Sequence, residues 1–465
     1  MKSHNNIFGI FLHIIYIGII LGNSLRIGIP FLPERNIPLS FLDMCVLLIG
    51  TLALIYLLHD FIRKKHISVP KSLKLTLLWI AFGVLSLILF SININLEWSR
   101  VIYSLGYPYR MLCYLFISIF IINNISNYSN TLLKIMLYYT LVLVSIGFII
   151  YYKFPYLSHL WAILLRYNIY FPNPDPHIYR FVSTFFDPNF LAAFLVLPII
   201  YLIYMITVGS KNEKVVGWII LFVVFRAFML TFSRSGYLTL GLTIVSLCIM
   251  KNRVVETFNK KILLRNIAFF VGITILFLCV EEIMGGNTLS RIVERSHIIS
   301  KSQTAPQSSS ISEVESKIVV EPSAAARIEN WKVGLEIFYK HPLMGVGYNN
   351  YGNVARYINQ SIAESQLFGN DSSWILILAT TGIIGFALFL LGYVLAIINL
   401  IKISRSNLYD PNMRIMSSSL TVYLISLAVS TNFNNFLFYP PIMCQCFIMY
   451  AIICAEANNK NKYSG

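Results

Sequence analysis

The sequence predicts an all-α integral membrane protein of about twelve transmembrane helices, and three observations predict it. The first is composition: 57% of residues are hydrophobic and 12% charged, with a mean hydropathy of +0.69. Soluble domains carry about 25% charged residues. The second is length: apolar runs of about 17–25 residues recur along the chain, each enough to cross a hydrocarbon core. In lipid such runs must satisfy their own backbone hydrogen bonds, so they are helices. The third is alternation: short loops with lysine clusters alternate with loops poor in lysine. This supports an even number of spans with both termini cytoplasmic.

The spans fall at 6–23, 39–59, 73–92, 104–122, 132–152, 189–208, 215–232, 235–250, 263–281, 372–398, 413–431 and 436–456. The first lacks a small-residue cleavage site and is expected to be retained. The fourth contains Arg110. Between the seventh and eighth, Ser233-Arg234-Ser235 leaves almost no loop, which places Arg234 at the membrane surface or just below it. The expected organisation is residues 1–281 for spans one to nine, 282–371 for a large extracytoplasmic loop, and 372–465 for the last three spans and a short cytoplasmic tail. Within the loop, 301–316 is polar, Ser-rich and expected to be flexible. Residues 323–340 are expected to be helical, with Trp331, Leu335 and Phe338 on one apolar face. A second outer loop, 153–188, holds an amphipathic piece at 157–165 and a Pro-rich stretch at 171–176.

Composition also bounds function. A net charge of +16 would suggest nucleic acid in a soluble chain. In this one it points to anionic headgroups inside and an anionic substrate outside, and no nucleic-acid partner is expected. The seven cysteines all fall in apolar runs and read as small buried hydrophobes. No Walker A, HExxH, CxxC or Asp-x-Asp pattern occurs, so neither a metal nor any other cofactor is expected.

The arginines carry more information. With the N-terminus inside, the inner loops hold mostly lysine. The opposite face holds Arg26, Arg35, Arg100, Arg110, Arg166, Arg180, Arg234, Arg291, Arg295, Arg327 and Arg356, with Arg226 just inside a span. Orientation rules do not separate Arg from Lys. An outer face rich in Arg suggests planar, bidentate recognition of phosphate or carboxylate.

Four constellations lie on that face. In Arg180…Asp187-Pro188-Asn189, Asp187 and Pro188 read as a helix N-terminus, while Arg180 is a ligand contact or a headgroup anchor. In Ser233-Arg234-Ser235-Gly236, the arginine either snorkels or charges an anion pocket built from the hydroxyls and the glycine. Arg226 lies two turns earlier on a similar face. Arg327 and Trp331, at i and i+4, either stack or serve a ligand; Trp331, Tyr348 and Tyr351 could form a sugar platform. Asp371, where a span begins, is an N-cap or a general base.

The order of these blocks resembles the O-antigen ligase and O-antigen polymerase family of bacterial membrane glycosyltransferases. The resemblance runs from about Arg180 to Gly385. It rests on Phe186-Asp187-Pro188-Asn189, on Phe232-Ser233-Arg234-Ser235-Gly236, on Arg327…Trp331…His341-Pro342-Leu343-Met344-Gly345-Val346-Gly347-Tyr348, and on Asp371…Thr381-Gly382-Ile383-Ile384-Gly385. It implies a metal-independent transferase in the bacterial plasma membrane, acting outside on a polyprenyl-diphosphate-linked oligosaccharide. A chain-length regulator and a flippase would be further partners. The family's diphosphate-binding arginines fall on Arg234 and Arg327, with Arg180 a third. Ligases typically carry His followed by Asn where this chain has Asp371-Ser372, which shifts the expectation towards a polymerase of repeat units.

The resulting expectation has Arg234, Arg327 and Asp371 as catalytic, and Arg180, Arg226, Trp331, Tyr348 and Tyr351 as substrate-binding. A ligase moving finished glycan to a final acceptor is the alternative. A lipid-linked sugar flippase or exporter is a more distant one.

Overall fold

The structure, a computed structural model, describes residues 2–21, 26–32, 35–63, 65–154, 180–249, 265–266, 268–269, 272, 322–358 and 369–463. Thirteen α-helices occur among them: α1 (Lys2–Leu21), α2 (Phe41–Ile62), α3 (Lys71–Asn93), α4 (Trp98–Asn124), α5 (Ser129–Lys153), α6 (Pro188–Val208), α7 (Lys211–Leu230), α8 (Arg234–Ile249), α9 (Pro322–Lys340), α10 (Tyr351–Ile358), α11 (Ser373–Arg405), α12 (Pro411–Ser430) and α13 (Pro440–Tyr463). Eight of them are long and apolar enough to cross a membrane. The chain is an all-α membrane protein.

Helices α1–α8 and α11–α13 coincide with eleven of the expected spans. The ninth, 263–281, lies almost wholly outside the described residues, as do 157–165, 171–176, 301–316, Arg166, Arg291 and Arg295. One small departure from the sequence reading is an antiparallel hairpin between α1 and α2, β1 (Arg26–Leu32) with β2 (Arg35–Ser40), Arg26 opposite Ser40.

Local sequence sets the helix starts. Ser40 and Asp43 form a capping box on α2, and Ser210 and Glu213 form another on α7. Each reciprocally satisfies amides that the first turn leaves without partners. Asp187 caps α6 through the amides of Asn189 (2.7 Å) and Phe190 (3.2 Å), with Pro188 in the first turn.

Hydrogen bonds between helix ends gather them in two layers. In one layer the Phe181 amide donates to Leu230 O (2.9 Å) and the Ser373 amide to Thr431 O (3.1 Å). In the other, Asn5 Nδ2 donates to Ser126 O (3.0 Å). There the buried Glu456 carboxylate also accepts the Tyr128 and Ser129 amides (2.6 and 2.7 Å), satisfying the start of α5. Helices α6, α12 and α13 form the centre; their apolar windows are 83, 78 and 89% buried. The window of α11 is 17% buried, so this helix packs against α3 and α12 and turns most of its surface outward.

Helix α11 is broken at Gly382 (φ 61°, ψ −169°). The break leaves the carbonyls of Ala379 and Thr380 without partners further along the helix. The turn after α9 supplies them: the Val346 amide donates to Ala379 O (3.0 Å) and the Gly347 amide to Thr380 O (2.8 Å). In return the Ile383 amide donates to Pro342 O (2.8 Å). A Cβ on Gly382 would lie 2.3 Å from Leu343 O, and Gly345 and Gly347 also have positive φ (69° and 82°). The segments around 341–347 and 379–383 are therefore two halves of one joint, and its glycines are required by close approach and by φ.

Candidate functional site

The site is built at the layer where α6, α8, α11 and α13 begin. Arg180 is buried, 7% exposed, and its Nε donates to Thr231 O (2.6 Å). Its Nη2 donates to Asn189 Oδ1 (3.1 Å) and Phe232 O (3.3 Å). Arg180 thus clamps the turn between α7 and α8 to the start of α6. Two aromatic residues beside that turn, Phe186 (φ 52°) and Phe232 (φ 48°), hold left-handed conformations. Such strain costs about 1–3 kcal/mol per residue and persists only where the surroundings enforce it. It sits next to Asp187 and Ser233.

Arg234, the first residue of α8, is exposed. The flanking hydroxyls do not form an open pocket around it. Ser233 Oγ donates to Asn189 Oδ1 (2.9 Å) and accepts the Gly236 amide (3.1 Å). Ser235 Oγ accepts from Asn434 Nδ2 (2.9 Å). Gly236 lets α8 approach α6, since a Cβ there would stand 2.5 Å from Ala192 Cβ. The expectation that serines and glycine make the anion pocket is corrected: they position the turn, and the arginine is the accessible group. Arg226 sits half-buried one turn before the end of α7.

Arg327, half-exposed near the start of α9, is close enough for its charge to act on two carboxyls, Asp187 and Asp371. Burial raises the Asp187 carboxyl above the ordinary carboxylate range, against the amides of Phe190 and Asn189 and the charges of Arg180 and Arg327, which pull it down. Burial likewise raises Asp371, against a hydrogen bond from Asn330 and the Arg327 charge. Desolvation wins at both, as it does for carboxyls set in apolar surroundings. Asp371 is not the helix cap: Ser372 caps α11, its side chain accepting the Ile375 amide (3.4 Å). Asp371 is thereby free of the duty that competed with catalysis.

Of the three candidate aromatic rings, Tyr348 and Tyr351 line one cavity and Trp331 stands apart from it. Trp331 lies against Phe433, ring centroids 6.2 Å apart. Tyr348 is buried and anchors the loop to α3: its hydroxyl donates to Trp79 O (3.3 Å), and its ring fills space that Gly83 leaves. Tyr351 joins the loop to α11. Its hydroxyl donates to Asn330 Oδ1 (3.0 Å) and accepts from Asn370 Nδ2 (2.9 Å), which also donates to Asn330 O (2.6 Å). The Asn330–Tyr351–Asn370 network fixes the residue preceding Asp371. His341, whose pKa is lowered by burial and by Lys340, sets its ring edge-on to Phe90.

Sequence reasoning missed the asparagines. Asn434 and Asn435 lie in the turn between α12 and α13. Asn435 Oδ1 accepts from Ser373 Oγ (2.7 Å), which also pairs with Thr431 Oγ1 (2.6 Å). Amides clustered between two apolar spans, as in Asn432-Phe433-Asn434-Asn435, were the available signal. Among the described residues no group of His, Cys, Asp and Glu is arranged to hold a metal ion.

Residues 219–390 match the protein family described as O-antigen ligase. Over these residues the chain is similar to the O-antigen ligase family. The matched segment begins within α7 and ends within α11, so it contains Arg226, Arg234, Arg327, Trp331, Tyr348, Tyr351, Asp371 and the break in α11. Arg180, Asp187 and the asparagine turn lie outside it in sequence, yet Arg180 and Asn434 are bonded to its residues Thr231 and Ser235. The similarity supports an O-antigen-related, glycan-handling membrane protein. A search of curated proteins finds no match to the chain.

Proposed function

We propose that the chain polymerises polysaccharide repeat units, drawing them from polyprenyl-diphosphate carriers on the outer face of the plasma membrane. One observation supports this most: the Arg327 charge acts on both half-buried carboxyls, Asp187 and Asp371, in the layer where Arg234 is exposed. Cations fixed beside a carboxyl of raised pKa suit a reaction in which a diphosphate leaves and a hydroxyl loses its proton.

In the proposed step, Arg234 and Arg327 bind the diphosphate, while Arg180 holds the turn that presents Arg234. The acceptor hydroxyl oxygen attacks the anomeric carbon of the carrier-linked sugar. The bond from that carbon to the diphosphate oxygen breaks, and its electron pair leaves with the polyprenyl diphosphate, where the arginines stabilise it. The hydroxyl proton passes to Asp371. A single displacement inverts the anomeric centre. Aspartate at this position, where ligases typically carry histidine, favours polymerase over ligase.

A deletion strain, with lipid-linked and surface glycans sized together, tests the reading. Single repeat units and no long chains are the expected result. Long chains stranded on the carrier would instead establish a ligase. Single units trapped facing the cytoplasm would overturn transfer altogether in favour of a flippase.

A further inference from the structure

Beside the arginine cluster a separate cavity of about 340 Å³ opens between α3, α4, α11 and the start of α13. That volume lies in the range of small-molecule sites, about 300–1,000 Å³. Its walls include Tyr107, Arg110, Tyr348, Tyr351, Asn435 and Tyr439. Neither Arg234 nor Arg327 lines it.

Arg110 is the feature that calls for an occupant. Its Nη1 donates to Asp43 Oδ1 (3.2 Å), and its guanidinium lies 5.0 Å from the Tyr107 ring centroid. Asp43 also accepts from Ser40 Oγ (2.7 Å), so its carboxylate is shared with the α2 cap. The buried Nε of Arg110 has no hydrogen-bond partner among the described residues. A buried donor without a partner costs about 1–3 kcal/mol. The ion pair also removes the net charge that would favour a diphosphate here, while leaving planar donors beside flat rings. That combination suits a ligand with hydroxyls on its rim and C–H groups on its face.

The cavity also adjoins the reacting carboxyl. Tyr351, in its wall, bonds Asn330 and Asn370, the latter adjacent to Asp371. Asn435, also in its wall, bonds Ser373, two residues beyond Asp371. Asp371 therefore feels the charge of Arg327 while its neighbours Asn370 and Ser373 are bonded to residues of this neutral, aromatic cavity.

We infer that this cavity is a saccharide subsite that receives the acceptor end of the glycan, with Arg110 donating to ring hydroxyls and Tyr107 covering a sugar face. The inference rests on the transferase reading above and adds the place from which the attacking hydroxyl comes.

The test uses the full chain in lipid nanodiscs. The probe is the single-repeat oligosaccharide cut from the host's own surface glycan, bearing neither lipid nor diphosphate. Saturable binding to the wild type is expected, weakened at least tenfold by Arg110→Lys, which keeps a cation for Asp43 but removes Nε. Tyr107→Leu, which keeps an apolar packing surface, is expected to weaken it similarly. Wild-type affinity in both variants, or no binding by the wild type, would overturn the subsite. Polyprenyl diphosphate binding, measured on the same preparations, separates the two readings. It is expected to fall in Arg327→Lys and to be unchanged in Tyr107→Leu. Its absence from the wild type would overturn the donor reading, whereas the oligosaccharide result would still judge the cavity.

Discussion

At the scale of single residues, the carboxyls near Arg327 make the sharpest predictions. Burial raises Asp371, so its basic form accumulates only as pH climbs past the ordinary carboxylate range. The acid limb of the pH–rate profile of transfer should lie above that range, and Asp371→Asn should abolish transfer while carrier binding persists. The stability sign is the reverse of the usual salt-bridged aspartate. Folding favours the protonated carboxyl, so this contribution is fully present below the unfolded-state pKa. It is lost as pH rises through the raised folded-state value. Arg180 is expected to be needed for the fold as well as the site, because its guanidinium holds the carbonyls of Thr231 and Phe232 and the Asn189 amide. Arg180→Lys, which cannot span the three, should cost about 1–3 kcal/mol, seen as a lower melting temperature in detergent. The caps Asp187 and Pro188 were legible because capping is local chemistry. The release of Asp371 from capping was not, since Ser372 competes for the same role one position on. Asn434 and Asn435 matter through partners about 60 or more positions away, and no local pattern announces such bonds.

At the scale of elements, the broken α11 explains two motifs at once. The segment His341-Pro342-Leu343-Met344-Gly345-Val346-Gly347 and the segment Thr380-Thr381-Gly382-Ile383 stand in the sequence as separate motifs, the second inside an expected span. Their glycines serve a single set of backbone exchanges. Gly382→Ala places a Cβ against Leu343 O at positive φ and should destabilise the fold by about 1–3 kcal/mol from backbone strain alone, seen as a lower melting temperature. Gly106→Ala is the control within α4: nothing lies within 4 Å of its Cβ position. It should be neutral or stabilise by about 0.5–1 kcal/mol through helix propensity. A melting curve for Gly382→Ala that overlays the wild type would show that the joint closes without left-handed backbone. Span positions were readable because hydropathy and length decide them in lipid. The hairpin at 26–40 was not, since its strands are short and each contains proline, a weak local signal for β structure.

At the scale of the whole molecule, the helix ends divide the charges. Arg100, Arg180, Arg234 and Arg327 gather at the layer holding the starts of α4, α6, α8, α9 and α11. Lys71, Lys74, Lys211, Lys214, Lys402 and Lys460 gather at the opposite one. We expect the lysine layer to be cytoplasmic, from the known bias of basic loops. Tyr339→Cys, at a side chain 74% exposed on α9, should react with a membrane-impermeant maleimide in intact cells. Leu408→Cys, 65% exposed between α11 and α12, should react only after permeabilisation. The opposite pattern would invert the orientation and move the proposed site inside. The bundle was legible because each span is nearly self-sufficient. The assembly of Arg180, Arg327, Asp371 and the asparagine turn was not, because it depends on which helices are neighbours.

The joint at Gly382 has one more consequence, for how such a chain can change over generations. Three backbone bonds tie 342 to 383, 346 to 379 and 347 to 380. These bonds fix how many residues run from Pro342 to Gly347 and how many run from Ala379 to Ile383. Substitutions between these points can be absorbed by side-chain repacking, but an inserted or deleted residue cannot. Descendants of this sequence should therefore vary in what occupies the joint far more readily than in how many residues it contains.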